Sequence, residues 1–176
     1  MPENHTLAGE PGPGPGCDNG GVTVTFRDAQ REDVPTIVAM LADDFLGTER
    51  EAGAAGAGGT VDDVYWTAFE QIDADPRDRL IVAEDGGRIA GTLQLTLLPG
   101  LSRHGMLRAQ VEAVRVASWT RGLGIGRQMI SWAVGEARAA GCGLVQLTSD
   151  KRRADAIRFY SSLGFEPTHE GLKLSL

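Results

Sequence analysis

VRVASWTRGLGIGRQMI, residues 114–130, runs from an alternating apolar strand through Gly122, Gly124 and Gly126 into an amphipathic segment. A glycine-rich turn placed between strand and helix presents backbone N–H groups at the positive end of a helix dipole. Glycines allow a phosphate to approach closely and permit the backbone angles that a nest of amides requires. Arg121 and Arg127 flank the turn and can add charge-assisted bonds. The stretch therefore reads as a pyrophosphate cradle, or as a tight connection that lets strand and helix pack closely. Two nucleotide signatures fail on it. The G-x-G-x-x-G fingerprint, counted from Gly122, would need its third glycine at Arg127, and G-x-x-x-x-G-K-[ST] is absent.

Working outward, the preceding segments change period. RLIVAED (79–85), Gly86-Gly87 and RIAGTLQLTLLP (88–99) predict an antiparallel hairpin, and RAQVEAVRVA (108–117) a further strand. In that strand Val111, either Ala113 or Val114, and Val116 are the apolar positions. Upstream, VTVTFR (22–27) reads as a first strand. Asp33-Val-Pro35 starts a helix with Val34, Ile37, Val38, Leu41 and Phe45 on one stripe. AGAAGAGG (52–59) breaks it, and a second helix spans about Val61 to Ile72. Downstream, the helix reaches about Ala140, GLVQLTS (143–149) is a buried strand, and a short helix ends at Gly164. Strand signals recur in FEPTH and GLKLSL. The expected order is β-αα-βββ-α-β-α-β, a mixed α/β domain whose helices cover a mostly antiparallel sheet.

The chain of 176 residues suits one domain, here 22–176, behind a Gly/Pro-rich tail, 1–21, that cannot bury enough apolar surface to order itself. A net charge of −7 argues against nucleic acid or an anionic membrane as partner. The opening MPENHTLAGEPGPGPG lacks the regions of a secretory signal, and no apolar run could span a bilayer, so the expected location is cytoplasmic. Cys17, Cys142 and three scattered histidines form no metal-ligand pattern, so no metal is expected.

Arg121, Gly124 and Gly126 match [Q/R]-x-x-G-x-[G/A], and Ala156, Phe159, Tyr160, Leu163, Gly164 and Phe165 match A-x-x-F-Y-x-x-L-G-F. With these two motifs at this separation, residues 22–176 resemble the bacterial N-acetyltransferases of the GNAT superfamily. The resemblance implies a sheet of six or seven strands splayed between strands 4 and 5, flanked by about four helices. It implies acetyl-CoA as co-substrate, its pyrophosphate held by the amides of Gly122, Leu123, Gly124, Ile125, Gly126 and Arg127. Its pantetheine arm would pair with the backbone of Val114, Arg115 and Val116. Where many members carry an asparagine three residues before the alanine of the second motif, this chain has Arg153, which either reaches a CoA phosphate or is a solvated helix start. Similar proteins often pair through terminal strands, which leaves room for a homodimer.

An alkyl amine with a pKa of about 10 is almost all ammonium at neutral pH, so acetyl transfer needs a base, and the departing thiolate needs an acid. Glu112, two residues before Val114, is the candidate base, or an ordinary polar residue of a half-buried strand. Tyr160 corresponds to the family's tyrosine near the CoA sulfur and is the candidate acid; its spacing also suits packing. Cys142 as an acetylated nucleophile is the less favoured route. Asp43, Asp44, Glu49, Glu51, Asp62 and Asp63 with Phe45, Tyr65, Trp66 and His104 would form an acidic, partly aromatic wall for a small-molecule amine. A protein N-terminus or lysine as acceptor, or a non-catalytic acyl-CoA-binding module, are the alternatives.

Overall fold

The computed structural model describes residues 22–43 and 61–176. The expectations for the tail 1–21, for Phe45 and for the break at 52–59 lie outside these residues. Strand β1 (Thr25–Asp28) leads through a 3-10 turn, Arg31–Asp33, into α1 (Val34–Ala42), with Pro35 in its first turn. After α2 (Asp63–Ala74) come β2 (Asp78–Asp85) and β3 (Arg88–Leu98), joined at Gly86-Gly87. Their φ angles of +57° and +82° are those that a two-residue hairpin loop with the native strand twist requires. A left-handed turn over Ser102–Gly105 precedes β4 (Arg108–Val116). Helix α3 (Ile125–Ala139), β5 (Leu144–Leu147) and α4 (Ala154–Ser161) complete the described elements.

The five strands form one sheet in chain order, antiparallel except for the last pair, β4 with β5. The mixed α/β class is as expected, while the sheet has five strands among the described residues rather than six or seven. FEPTH and GLKLSL are not strands. They carry strand-like alternation, but Leu172, Leu174 and Leu176 stand exposed, and no neighbour among the described residues supplies the ladder partner or the burial that would fix an extended segment.

Each face of the sheet has its own core. On one, Ile81, Leu93, Leu95, Ala109 and Val111 pack beneath α3 through Met129, Ile130 and Ala133. On the other, Val82, with Leu80 and Ile89, meets Val34, Ile37 and Val38 of α1 and Phe69 of α2. Burying a side chain of this kind contributes roughly 1.5–3 kcal/mol. Gly91 lets α3 approach, since a Cβ there would collide with Met129 Sδ and lie 3.1 Å from the Arg115 carbonyl oxygen.

Candidate active site

The choice between Ala113 and Val114 as an apolar position is resolved by a bulge. Thr92 pairs with Arg115 and Gln94 with Glu112, so Leu93 faces two residues, and Ala113 takes φ +51°. Absorbing that extra residue keeps Val111, Val114 and Val116 on the same core. The bulge also marks a parting of strands. Pairing with β5 runs from Arg108↔Leu144 to Val111↔Leu147 and stops, so Glu112 to Val116 pair with β3 alone. This is the splay the resemblance implied. It leaves Val114–Val116 as an open strand edge, the kind of backbone to which an extended amide-bearing arm adds as another strand.

The glycine-rich turn sits at the end of that edge. The carbonyl of Ala90, in a second irregularity of the sheet, accepts from Ala117 N at 2.9 Å and from Thr120 Oγ1 at 3.2 Å, anchoring the strand-to-helix connection to β3. Gly122 (φ +84°) and Gly124 (φ +82°) then turn the chain into α3, whose first residue, Ile125, is buried. The amides of Gly122, Gly124, Ile125 and Gly126 donate to no described residue. Those of Leu123 and Arg127 are engaged within the turn, by Thr120 O at 3.2 Å and Gly124 O at 3.1 Å. Four of the six expected amides are thus available to a ligand. A Cβ at Gly122 or Gly124 would meet nothing within 4 Å, so the turn is uncrowded on that side of both residues. Gly126 serves contact instead, because its Cβ would sit 3.4 Å from Phe159 and 3.6 Å from Val116, the point where the two sequence motifs touch. Together the open amides and the open edge fit the diphosphate and pantetheine of a CoA molecule.

The flanking arginines are differently placed. Arg121 Nη2 donates to the carbonyl and to Oδ2 of Asp43, both at 2.9 Å, in an exposed pair that ties the end of α1 to the turn. Arg127 reaches Ser162 Oγ at 3.3 Å. Arg153 is the residue before α4 and acts, with Arg115, on Tyr160.

Tyr160 is half-buried, edge-on to Phe159 and Phe165 with ring centroids 5.1 and 5.9 Å away. Burial raises its pKa above the usual value, against the opposing pull of the Arg115 and Arg153 charges, so the phenol is protonated at neutral pH. Packing and a protonated hydroxyl therefore coincide in this side chain. Glu112 is exposed on the other side of β4, directly across from Gln94, and its carboxylate pairs with no described residue. Cys142 lies beside the start of β4, where Gly143 N donates to Leu107 O, and burial raises its thiol pKa. About five residues of strand, roughly 16 Å, separate that end from Glu112. A thiol so placed and so protonated is a poor nucleophile for this site.

The expected acidic and aromatic wall is only partly as foreseen. Asp44, Phe45, Glu49 and Glu51 lie outside the described residues. Tyr65 and Trp66 join the packing between α2, α1 and the sheet, and the Arg31 guanidinium sits 4.7 Å over the Trp66 ring. They are held there because α2 needs an apolar face to bury. Asp62 caps α2 by accepting from Val64 N at 3.1 Å. His104 is exposed in the left-handed turn. Sequence reasoning passed over a polar row on the Glu112 face, comprising Asp78, Thr96, Gln110 and Gln146 on four neighbouring strands. The alternation Arg108-Ala-Gln110-Val-Glu112 was its signal. Among the described residues no helix is long and apolar enough to cross a membrane, and no cluster of side chains could hold a metal ion.

Comparison with known proteins agrees with this geometry. The model of the acetyltransferase (GNAT) family matches residues 40–165. An aminoalkylphosphonate N-acetyltransferase of Salmonella typhimurium is 33% identical over 144 residues, 82% of this chain and 86% of that protein. A glucosamine 6-phosphate N-acetyltransferase of Trypanosoma brucei brucei is 32% identical over 90 residues, 51% of this chain and 59% of that protein. A crystal structure from Bacillus halodurans C-125, described as a transcriptional regulator, superposes with a TM-score of 0.81 at 45% identity, covering 88% of this chain and all of that one. A family whose members use acetyl-CoA thus accounts for the parted strands, the open amides and the two motifs, and the chain belongs to it as an acyl-CoA-dependent N-acetyltransferase of the GNAT superfamily.

Proposed function

We propose that this enzyme acetylates the primary amine of a small molecule by direct attack, with amine and acetyl-CoA bound together. The observation that carries the proposal is the parting of β4 from β5 after Val111, with Glu112, the open edge Val114–Val116, Tyr160 and the unpaired turn amides grouped along it. Acetyl-CoA supplies an acyl group on a good leaving thiolate. The amides of Gly122, Gly124, Ile125 and Gly126 hold its diphosphate, with Arg121, Arg127 and Arg153 as cations in reach of its phosphates. Leu123 shapes the turn. Glu112 takes the proton of the acceptor's ammonium, directly or through water, and Tyr160 gives its proton to the departing sulfur. A protonated phenol beside two guanidiniums suits that second role, since the same cations favour the developing negative charge. The Salmonella and trypanosome relatives are named for amine substrates of low molecular mass, which supports the choice of acceptor class.

The name of the Bacillus halodurans relative favours a second reading, an acyl-CoA-binding module that regulates. One experiment separates them. Acetyl-CoA is titrated into the protein by calorimetry, and CoA release is then followed across a panel of small amines. Binding with turnover upholds the enzyme, binding without turnover of any amine upholds the regulatory module, and absence of binding refutes both.

A further inference from the structure

The geometry points to a recognition element for a hydroxyl group on the acceptor, made by the side chains of Gln94 and Gln110 beside Glu112. Gln94 lies directly across from Glu112, and Gln110 directly across from Thr96, so the three side chains share one face of β3 and β4. Opposed Cβ atoms stand about 5 Å apart and diagonal ones about 7 Å, within reach of one small ligand.

What singles these amides out is that each is held at its outer end, Gln94 by a carboxylate and Gln110 through a relay that begins at an arginine. Asp78 Oδ1 accepts from Gln94 Nε2 at 3.0 Å and from Thr96 Oγ1. An anion can take only the NH2 end of the amide, so the Gln94 carbonyl is turned away from Asp78. On the other flank, Arg108 Nη1 donates to Gln146 Oε1 at 3.3 Å, and Gln146 Nε2 donates to Gln110 Oε1 at 2.7 Å. A cation can take only the carbonyl end, and the relay through Gln146 passes that polarity on. Gln110 is left with its NH2 group outward. Neither Gln94 Oε1 nor Gln110 Nε2 bonds to any described residue. The sheet face therefore offers one fixed acceptor and one fixed donor, diagonal to each other, next to a carboxylate that has no partner among the described residues.

A hydroxyl group satisfies both at once, accepting from Gln110 and donating to Gln94. A methyl group satisfies neither, and a carboxylate is repelled by Glu112 and finds only one donor. With the ammonium at Glu112, the spacing suits an amine and hydroxyl separated by about two or three carbons. This assignment rests on Glu112 facing the acceptor amine, as proposed above. Gln94 and Gln110 are then specificity-determining residues, and Asp78, Gln146 and Arg108 positioning residues.

The test compares ethanolamine and propanolamine with their isosteres propylamine and butylamine. Two readouts serve: kcat/KM for CoA release, and calorimetric binding to the CoA-loaded protein. Two net hydrogen bonds predict a preference of about tenfold or more for the amino alcohols. That ratio collapses towards one in Gln110→Leu, and also in Gln110→Glu, which keeps the volume and turns the donor into an acceptor. Arg108→Met, remote from the ligand, lowers the ratio by releasing the relay, an effect that loss of packing would not confine to the alcohols. Equal kcat/KM for alcohol and isostere in the wild type, or a preference that survives Gln110→Leu, overturns the inference. If no amine is turned over, the proposed reaction fails. Calorimetry then decides alone: selective binding of the alcohols, lost in Gln110→Leu, upholds the element, and its absence overturns it.

Discussion

The two halves of β4 put one strand to two uses. From Arg108 to Val111 it is paired on both sides, and Ala109 and Val111 are buried beneath α3. From Glu112 to Val116 it keeps β3, loses β5 and exposes an edge. The first half has the two-sided pairing and the buried alternate residues of an interior strand. The second departs from that pattern, with an alanine at positive φ and a ladder side left open, departures that a sheet tolerates where a ligand completes it. Buried packing resides in the paired half, and the proposed chemistry lies along the open one.

The change expected to strike the open half hardest is Gly124→Asp. A side chain there has free space around its Cβ and would put a carboxylate beside the proposed phosphate site. Losing two bonds to a charged group costs about 3 kcal/mol or more, so acetyl-CoA affinity should fall about 100-fold or further by calorimetry. Near-normal affinity would remove the cradle from the account. Tyr160→Phe should lower kcat about 100-fold while sparing acetyl-CoA affinity. The sign of its pH dependence follows from burial. The acid must be protonated and its pKa is raised, so the wild-type rate holds through the neutral range and declines only at alkaline pH beyond the ordinary tyrosine range, a limb the variant should lack. If the variant merely melts earlier with kcat intact, Tyr160 is a packing residue.

The paired half should respond in the opposite way. Val111→Ala removes buried volume and should cost about 2 kcal/mol in denaturant unfolding, with acetyl-CoA affinity retained. A large affinity loss there would mean that the two halves are not separable. Smallest of all, Asp43→Asn severs an exposed pair with Arg121 and should shift stability by less than about 1 kcal/mol. A visible drop in melting temperature would show the end of α1 to be a firmer support of the turn than an exposed ion pair can be.

Much of this arrangement was legible in the sequence because it is local. Gly86-Gly87 announced the hairpin, and the run from Arg121 to Arg127 announced the turn. The Phe159-Tyr160 pair was also visible, and its contact with Gly126 follows once α3 and α4 are placed. What was not legible depended on register. Whether Ala113 or Val114 pointed inward could not be read from alternation, since a bulge exists only relative to the strand opposite. The polar row needed the pairing of Gln110 with both Thr96 and Gln146. Tyr65 and Trp66 were assigned to a substrate wall by composition, and the apolar demands of the α1–α2 pair claimed them instead. FEPTH and GLKLSL had the right period for strands, but period does not provide a partner.

The bulge at Ala113 has a genetic consequence. Because Leu93 faces both Ala113 and Val114, an in-frame loss of codon 113 leaves every later side chain on its present face and spares the hydrophobic pattern. It also relieves a left-handed alanine, a conformation worth about 1–2 kcal/mol of strain. Such a deletion would straighten the strand at the point where β4 and β5 part. A single codon is thus expected to trade the proposed cofactor edge for stability, and selection for stability alone would favour losing it.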